Sequence, residues 1–419
     1  MVGIRALRSD PTGLAISSPL RRPRVARITA VCLALLLLLA SLVICAVVGT
    51  LGAEATRVFF AALAISTLLA LMPIAILWFL DRRERESPWL FASAFLWGGL
   101  IATTLALPVN STILYLVGSW LESNAALKDM LGPEAALIIG APLAAPLVEE
   151  ATKGLGLLLL FWLVRSEFDN VRDGLVYGAL IGAGFNWFES ALYVQQNFVQ
   201  FGSAPYGFQL GMRYAWLGLA GHAMFSGIFG ASLGFARATR VRWLAWIAPV
   251  LGFAIAVAAH AWNNSLPLFA ALVAHKRGDA PPTEVPTPPD MELLQAMASA
   301  SLTNLVIFLP FALLMIFIIR RSGHAERAVI REELADEVGG SITADEYQAV
   351  LADRIYRTRR IDSRNKAASA ALVNAQHELA FRKRRLRDRG FDPAADPRVA
   401  ARRLQIARLR QLISETAVG

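Results

Sequence analysis

Long apolar runs nearly free of charge, separated by short basic clusters, set the pattern of this chain. Residues 28–56 contain one acidic residue, near the far end, and no basic one. A helix needs about 20 apolar residues to cross the hydrocarbon core of a bilayer. Lipid offers no partner for open backbone groups, so each such run predicts a continuous helix. Eight spans follow, at roughly 28–50, 58–80, 89–116, 133–164, 174–198, 212–236, 243–270 and 298–320. The third is the weakest, because Pro108 breaks it before its apolar part ends. The expected fold is an all-α polytopic membrane protein, a bundle of about eight transmembrane helices with a polar site inside the membrane. Residues 1–27 form a cytoplasmic N-terminal segment, 28–320 the transmembrane domain and 321–419 a charged cytoplasmic tail. The first run has the look of a signal peptide, but no cleavage site follows it and more spans do, which predicts a retained helix.

Composition sharpens this. The chain is 56% hydrophobic and only 17% charged, against about a quarter in soluble domains. The runs are too long and too many for a soluble helical protein. Its net charge of +9 suits a surface facing anionic lipid, with the bilayer rather than nucleic acid as the expected partner. Basic residues alternate by side. Arg82, Arg83 and Arg85, then Arg165 and Arg172, then Arg237, Arg240 and Arg242, then Arg320 and Arg321 mark one side. The other side has only Arg57, Lys128, Arg213, Lys276 and Arg277. The positive-inside rule predicts a multi-pass protein of the cell membrane with both termini in the cytoplasm. Cys32 and Cys45 lie inside the first apolar run and say nothing of a redox compartment. Residues 279–290, rich in proline, read as a stiff extracytoplasmic linker. The tail holds 20 Lys and Arg against 14 Asp and Glu. Its 367–389 stretch is helix-like, with a basic end from Phe381 that is either a solvated helix or a segment on the inner leaflet.

Ionisable side chains in membrane helices are costly, so each needs a reason. Span four carries Glu149-Glu150-Ala-Thr-Lys153, span five Gly182-Ala-Gly184-Phe185 and Glu189, span six Gly221-His222, and span seven His260-Ala-Trp262-Asn263-Asn264. Counted from the cytoplasmic helix ends, Glu149, Glu189, His222 and His260 all lie about 21–26 Å deep at 1.5 Å rise per residue. Four consecutive helices therefore bring polar groups to one level. The Gly174, Gly178, Gly182 series predicts a close-packing face, which Glu189 shares.

Two imidazoles and a carboxylate are a common zinc set that leaves a position for water. Zinc acidifies that water and polarises a carbonyl, and a further carboxylate can carry the proton. The expected metal ligands are His222, His260 and one carboxylate, Glu150 or Glu189. Glu149 is the candidate general base, although neighbours on a helix point about 100° apart and Glu149 and Glu150 can exchange roles. Lys153 lies within reach of both, and Asn263 or Asn264 can donate to an oxyanion or to substrate backbone. The same residue types serve proton- or ion-coupled transporters, and a non-catalytic membrane interaction protein is a third reading.

These motifs, in this order, resemble the PrsW family of intramembrane metalloproteases. The matches are Glu149-Glu150-Ala-Thr-Lys153, Asp173-Gly174-Leu-Val-Tyr177-Gly178 through to Glu189, Arg213 followed by Gly221-His222, and His260-Ala-Trp262-Asn263, over about residues 70–270. Ser190 stands where many relatives carry asparagine. A more distant similarity joins the glutamate pair and the two histidine motifs to the CAAX-type prenyl proteases. The resemblance implies a zinc-dependent endopeptidase cutting a membrane-anchored protein substrate. The best-known family role is the first cut in an anti-sigma factor.

Overall fold

The computed structural model describes residues 23–83, 87–164, 168, 170–239, 241–354, 357–359, 365–388 and 390–418. The N-terminal Arg21 and Arg22, and the loop residues Arg85, Arg165 and Arg240, lie outside the described residues. Among the described residues the elements are helices throughout, with two isolated β-bridges. The chain divides into two compact units, one holding the described residues of 12–80 and 87–315, the other those of 81–86 and 316–419.

The larger unit opens with α1 (Pro23–Gly49) and α2 (Ala53–Leu80). Next come α3 (Pro88–Leu96), a π-helical turn (Trp97–Ala102) and α4 (Thr103–Glu122). Pro108 does not end α4. It lacks the N–H of a regular turn, yet the helix runs on, with the Thr104 and Thr112 hydroxyls donating to the carbonyls of Leu100 and Pro108. Short α5 (Ala125–Leu131) leads to α6 (Ala135–Leu143) and α7 (Ala145–Leu163), the two halves of the expected fourth span. They part at Ala144, between Pro142 and Pro146, each of which removes a backbone donor. Then follow α8 (Val171–Phe201), α9 (Tyr206–Arg213), α10 (His222–Ala238), α11 (Arg242–Asn264), α12 (Leu266–Arg277) and α13 (Leu293–Ile307).

Among the described residues six helices are long and apolar enough to cross a membrane, or seven if one bent pair is a single span. That pair, α13 with α14 (Leu309–Ala335), turns through 86°, so the expected eighth span is not straight. Phe308 ends α13 with non-helical backbone, and Pro310 stands in the first turn of α14, where its missing N–H is tolerated. The expected fifth span is α8. Its 31 residues reach about 46 Å, but its glycines and polar residues leave it out of the apolar six, and most of its length is buried by neighbouring helices. The outer helices show the reverse. Leu35, Leu38, Leu39 and Leu42 of α1 are more than half exposed, a surface that belongs in hydrocarbon. The chain is thus an all-α, polytopic membrane protein.

The glycine series of α8 is its contact with α10. A Cβ at Gly174, Gly178 or Gly182 would lie 2.0–2.2 Å from the carbonyl oxygens of Gly230, Ser226 and His222, and one at Gly230 would lie 1.9 Å from that of Gly174. Backbone packs on backbone here, as small residues allow.

In the smaller unit, α14 beyond Ile316 is joined by α15 (Ala344–Leu351), α16 (Lys366–Asp388) and α17 (Pro397–Val418). Leu334, Leu372, Leu379, Val399 and Ile406 form its core. Thr343 and Glu346 close a reciprocal capping box at the start of α15. The basic end of α16 is not simply solvated: Phe381 and Lys383 are buried. Lys383 donates to Glu337 (2.8 Å) and to the Glu333 carbonyl, and Arg403 grips Glu337 with two bonds of 2.7 and 3.0 Å. Burial pushes the Glu337 carboxyl up, but hydrogen bonds from Arg403 and Lys383 prevail and hold it at about 2.

Candidate metal centre

Glu149 and Glu150 sit one turn inside α7, after the break at Ala144, and diverge around the helix as adjacent residues must. Glu149 lines a cavity of about 530 Å³ with Glu189 of α8, His222 of α10, and His260, Asn263 and Asn264 of α11. Glu150 lies behind that wall. The common depth read from the sequence thus becomes actual proximity.

Three of these groups converge on one point. Glu149 Oε2 lies 4.0 Å from His222 Nδ1 and 3.9 Å from His260 Nε2. One donor atom from each of Glu149, His222 and His260 falls within 4.8 Å of the others, and all three residues are buried. Glu149 Oε2 is buried and accepts no hydrogen bond, although Lys153 Nζ stands 3.5 Å away. The other two carboxylates hold the far sides of the rings. Glu150 Oε1 is 3.1 Å from His260 Nδ1, and Glu189 Oε2 is 2.9 Å from His222 Nε2. A carboxylate behind each imidazole fixes its tautomer and turns the opposite nitrogen toward a metal.

Lys153 is fully buried at the centre. Its Nζ is 2.7 Å from Glu150 Oε1, 2.9 Å from His222 Nδ1 and 3.9 Å from the centre of the Phe185 ring. Ser226 donates to Glu150 Oε2 at 2.9 Å. At formal charge, three carboxylates face Lys153 and Arg213, which leaves one negative charge for a cation to offset. Zinc bonds of about 2.0–2.1 Å in a tetrahedron put donors about 3.3–3.4 Å apart. Glu149 Oε2 therefore needs to close on each histidine nitrogen by about 0.6 Å, with Lys153 leaning toward Glu150 and Phe185. Donor types, burial and spacing fit a divalent metal.

Local backbone aims these groups. His222 begins α10 directly after Gly221, whose φ of 76° favours glycine. Trp216 and Leu217 hold left-handed φ values of 51° and 58°, costly for such residues. Ser301 of α13 holds the strained turn, its hydroxyl and carbonyl both accepting from Trp216. Phe225 stacks on His260 at 5.2 Å. Asn264 donates to the Ala141 carbonyl in the broken span, and Asn263 donates to Asn264.

Two participants were given no role in the reading of the sequence. Arg213, quoted there before Gly221-His222 and counted in a connection, donates to Glu189 Oε2 at 2.6 Å and lies over Tyr193. Asn110 of α4 donates to Glu149 Oε1 at 3.1 Å, and nothing but its polarity within an apolar run marked it.

Fold and site together define a polytopic helical membrane protein with a buried two-histidine, one-glutamate donor set. Residues 86–278 match the model of the PrsW family intramembrane metalloproteases, so just under half of the chain is similar to that family. It is similar to Protease PrsW of Geobacillus kaustophilus, 32% identical over 113 residues, covering 26% of this chain and 46% of the relative. The chain thus matches just under half of that relative's length. No solved structure matches.

Proposed function

We propose that this protein is a metal-dependent endopeptidase of the membrane, cutting membrane-anchored protein substrates. The observation that carries the reading is the buried triad of Glu149, His222 and His260 facing a cavity, with a carboxylate behind each imidazole. These three residues would hold the metal, with zinc the metal this donor set favours. When bound, it supplies Lewis-acid polarisation of the scissile carbonyl and a more acidic water.

The protein's own groups do the rest. Glu150, behind the cavity wall and held by Lys153 and Ser226, keeps His260 in one tautomer. Glu189 reaches the cavity, and its contacts with Arg213 and His222 both fall on Oε2. We assign the general base to Glu189, whose Oε1 carries neither of those contacts, to take the proton of the attacking water and return it to the leaving amide nitrogen. Asn263 and Asn264 each keep a second amide N–H for an oxyanion or for substrate backbone. Hydrolysis adds one water across one peptide bond and needs no other reactant. Both termini face the cytoplasm in this reading, and an anti-sigma-factor-type regulator is the finer substrate assignment, by analogy with the family.

Purified protein should cut a single-pass membrane substrate, lose that activity to a strong chelator and regain it with zinc. Cleavage that survives complete metal removal would overturn the metal assignment. Ion or solute movement in sealed vesicles without cleavage would replace the protease by a transporter.

A further inference from the structure

Asn110 is the polar group beside the triad that the mechanism leaves unused. It comes from α4, two residues after Pro108, and lines the cavity. Its Nδ2 lies 3.1 Å from Glu149 Oε1. A metal-ligating carboxylate is ionised and only accepts, so in that role Glu149 faces the NH₂ end of the amide, which alone donates. The two oxygens of Glu149 thereby become unlike. Oε1 is held by Asn110, while Oε2 accepts no hydrogen bond and lies 3.9 and 4.0 Å from the facing nitrogens of His260 and His222. Asn110 Oδ1 is buried and has no hydrogen-bond partner among the described residues. Leaving a buried amide oxygen unpaired is unfavourable, so the charge-assisted bond from the other end of the amide is what holds this side chain in place.

We propose that Asn110 is a positioning residue, clamping one oxygen of Glu149 so that the other is presented to the two histidines as a single-atom donor for a divalent cation. The proposal rests on the metal reading given above. Without the clamp, the nearest cation to Glu149 is Lys153, 3.5 Å from Oε2. Rotation of the carboxylate toward that ammonium would then turn the donor oxygen away from the histidines.

The test uses full-length protein in detergent with zinc as the probe metal. Zinc affinity is read by chelator competition and folding by the thermal midpoint. Asn110→Leu keeps the volume and removes the donor; Asn110→Ala serves if the leucine variant does not fold. The expected result is binding weakened about 10–100-fold, the usual cost of losing an outer partner of a metal ligand, with a thermal midpoint near wild type in metal-free protein. In a Glu149→Gln background the same change should add nothing, because Asn110 acts through Glu149. Wild-type zinc affinity in a folded Asn110 variant, alongside clear loss in Glu149→Gln, would overturn the clamp and leave the metal reading standing. Additive losses in the double variant would also overturn it. Wild-type protein that binds no zinc, or Glu149→Gln protein that binds it normally, would sink the metal reading and the clamp with it.

Discussion

Glutamine substitutions at Glu149 and Glu189 separate the two jobs that carboxylates can perform in this site. Each keeps the size of the side chain and removes its charge. Glu149 Oε2 stands about 4 Å from both histidine donors and needs only about 0.6 Å of closure to reach zinc spacing. Glu149→Gln replaces this anionic ligand by a neutral amide. Metal content should fall, and cleavage should fall with it. Glu189 touches the triad only from behind His222, at 2.9 Å. Glu189→Gln should therefore weaken zinc by no more than about 10–100-fold. With zinc saturating, its cleavage should still drop about 10²–10⁴-fold, the range for loss of a general base. The assay pairs metal analysis of purified protein with single-turnover cleavage of a membrane-anchored substrate at two zinc concentrations. If Glu149→Gln retains full metal yet cannot cut, Glu149 is the base and not a ligand. If Glu189→Gln cuts normally at saturating zinc, the base assignment to Glu189 is refuted.

Three further outcomes are expected. His222→Ala and His260→Ala should each lose metal, measured as zinc per protein; full retention in both would leave packing as the account of these histidines. Gly178→Val places a Cβ about 2.2 Å from the Ser226 carbonyl oxygen and should lower stability in detergent by at least the 1–3 kcal/mol typical of overpacking; an unchanged thermal midpoint would contradict the close contact of α8 and α10. In the C-terminal unit, Glu337 is held at about 2, below its ordinary 4.5. A depressed carboxyl contributes stability above its unfolded pKa and loses it as pH falls through the folded one. Amide exchange across 330–418 should therefore accelerate between about pH 4.5 and 2, and less so in Glu337→Gln.

The apolar runs, the glutamate pair with Lys153, the depth shared with Glu189, His222 and His260, and the glycine face of α8 were all legible in the sequence. Each follows from a local rule: the length of a helix against the thickness of lipid, a periodicity of 3.6, or the cost of a charge in hydrocarbon. The break between α13 and α14 had a local signal too, in Pro310, but a proline inside an apolar run does not say whether a helix continues, as it does through Pro108, or turns by 86°. The division of labour among the carboxylates had no local signal. Glu149 and Glu150 are adjacent and alike, and which of them meets both histidines on the cavity side depends on how α7 is rotated against α8, α10 and α11. Asn110 could be linked to Glu149 only by packing, since 39 residues separate them. The charged tail gave helices but not a core, because the burial of Lys383 depends on the Glu333 carbonyl of α14 and on Glu337 in the turn after it, some 50 residues back. Periodicity assigns a residue to a face of its own helix; only the packing of the helices decides what that face meets.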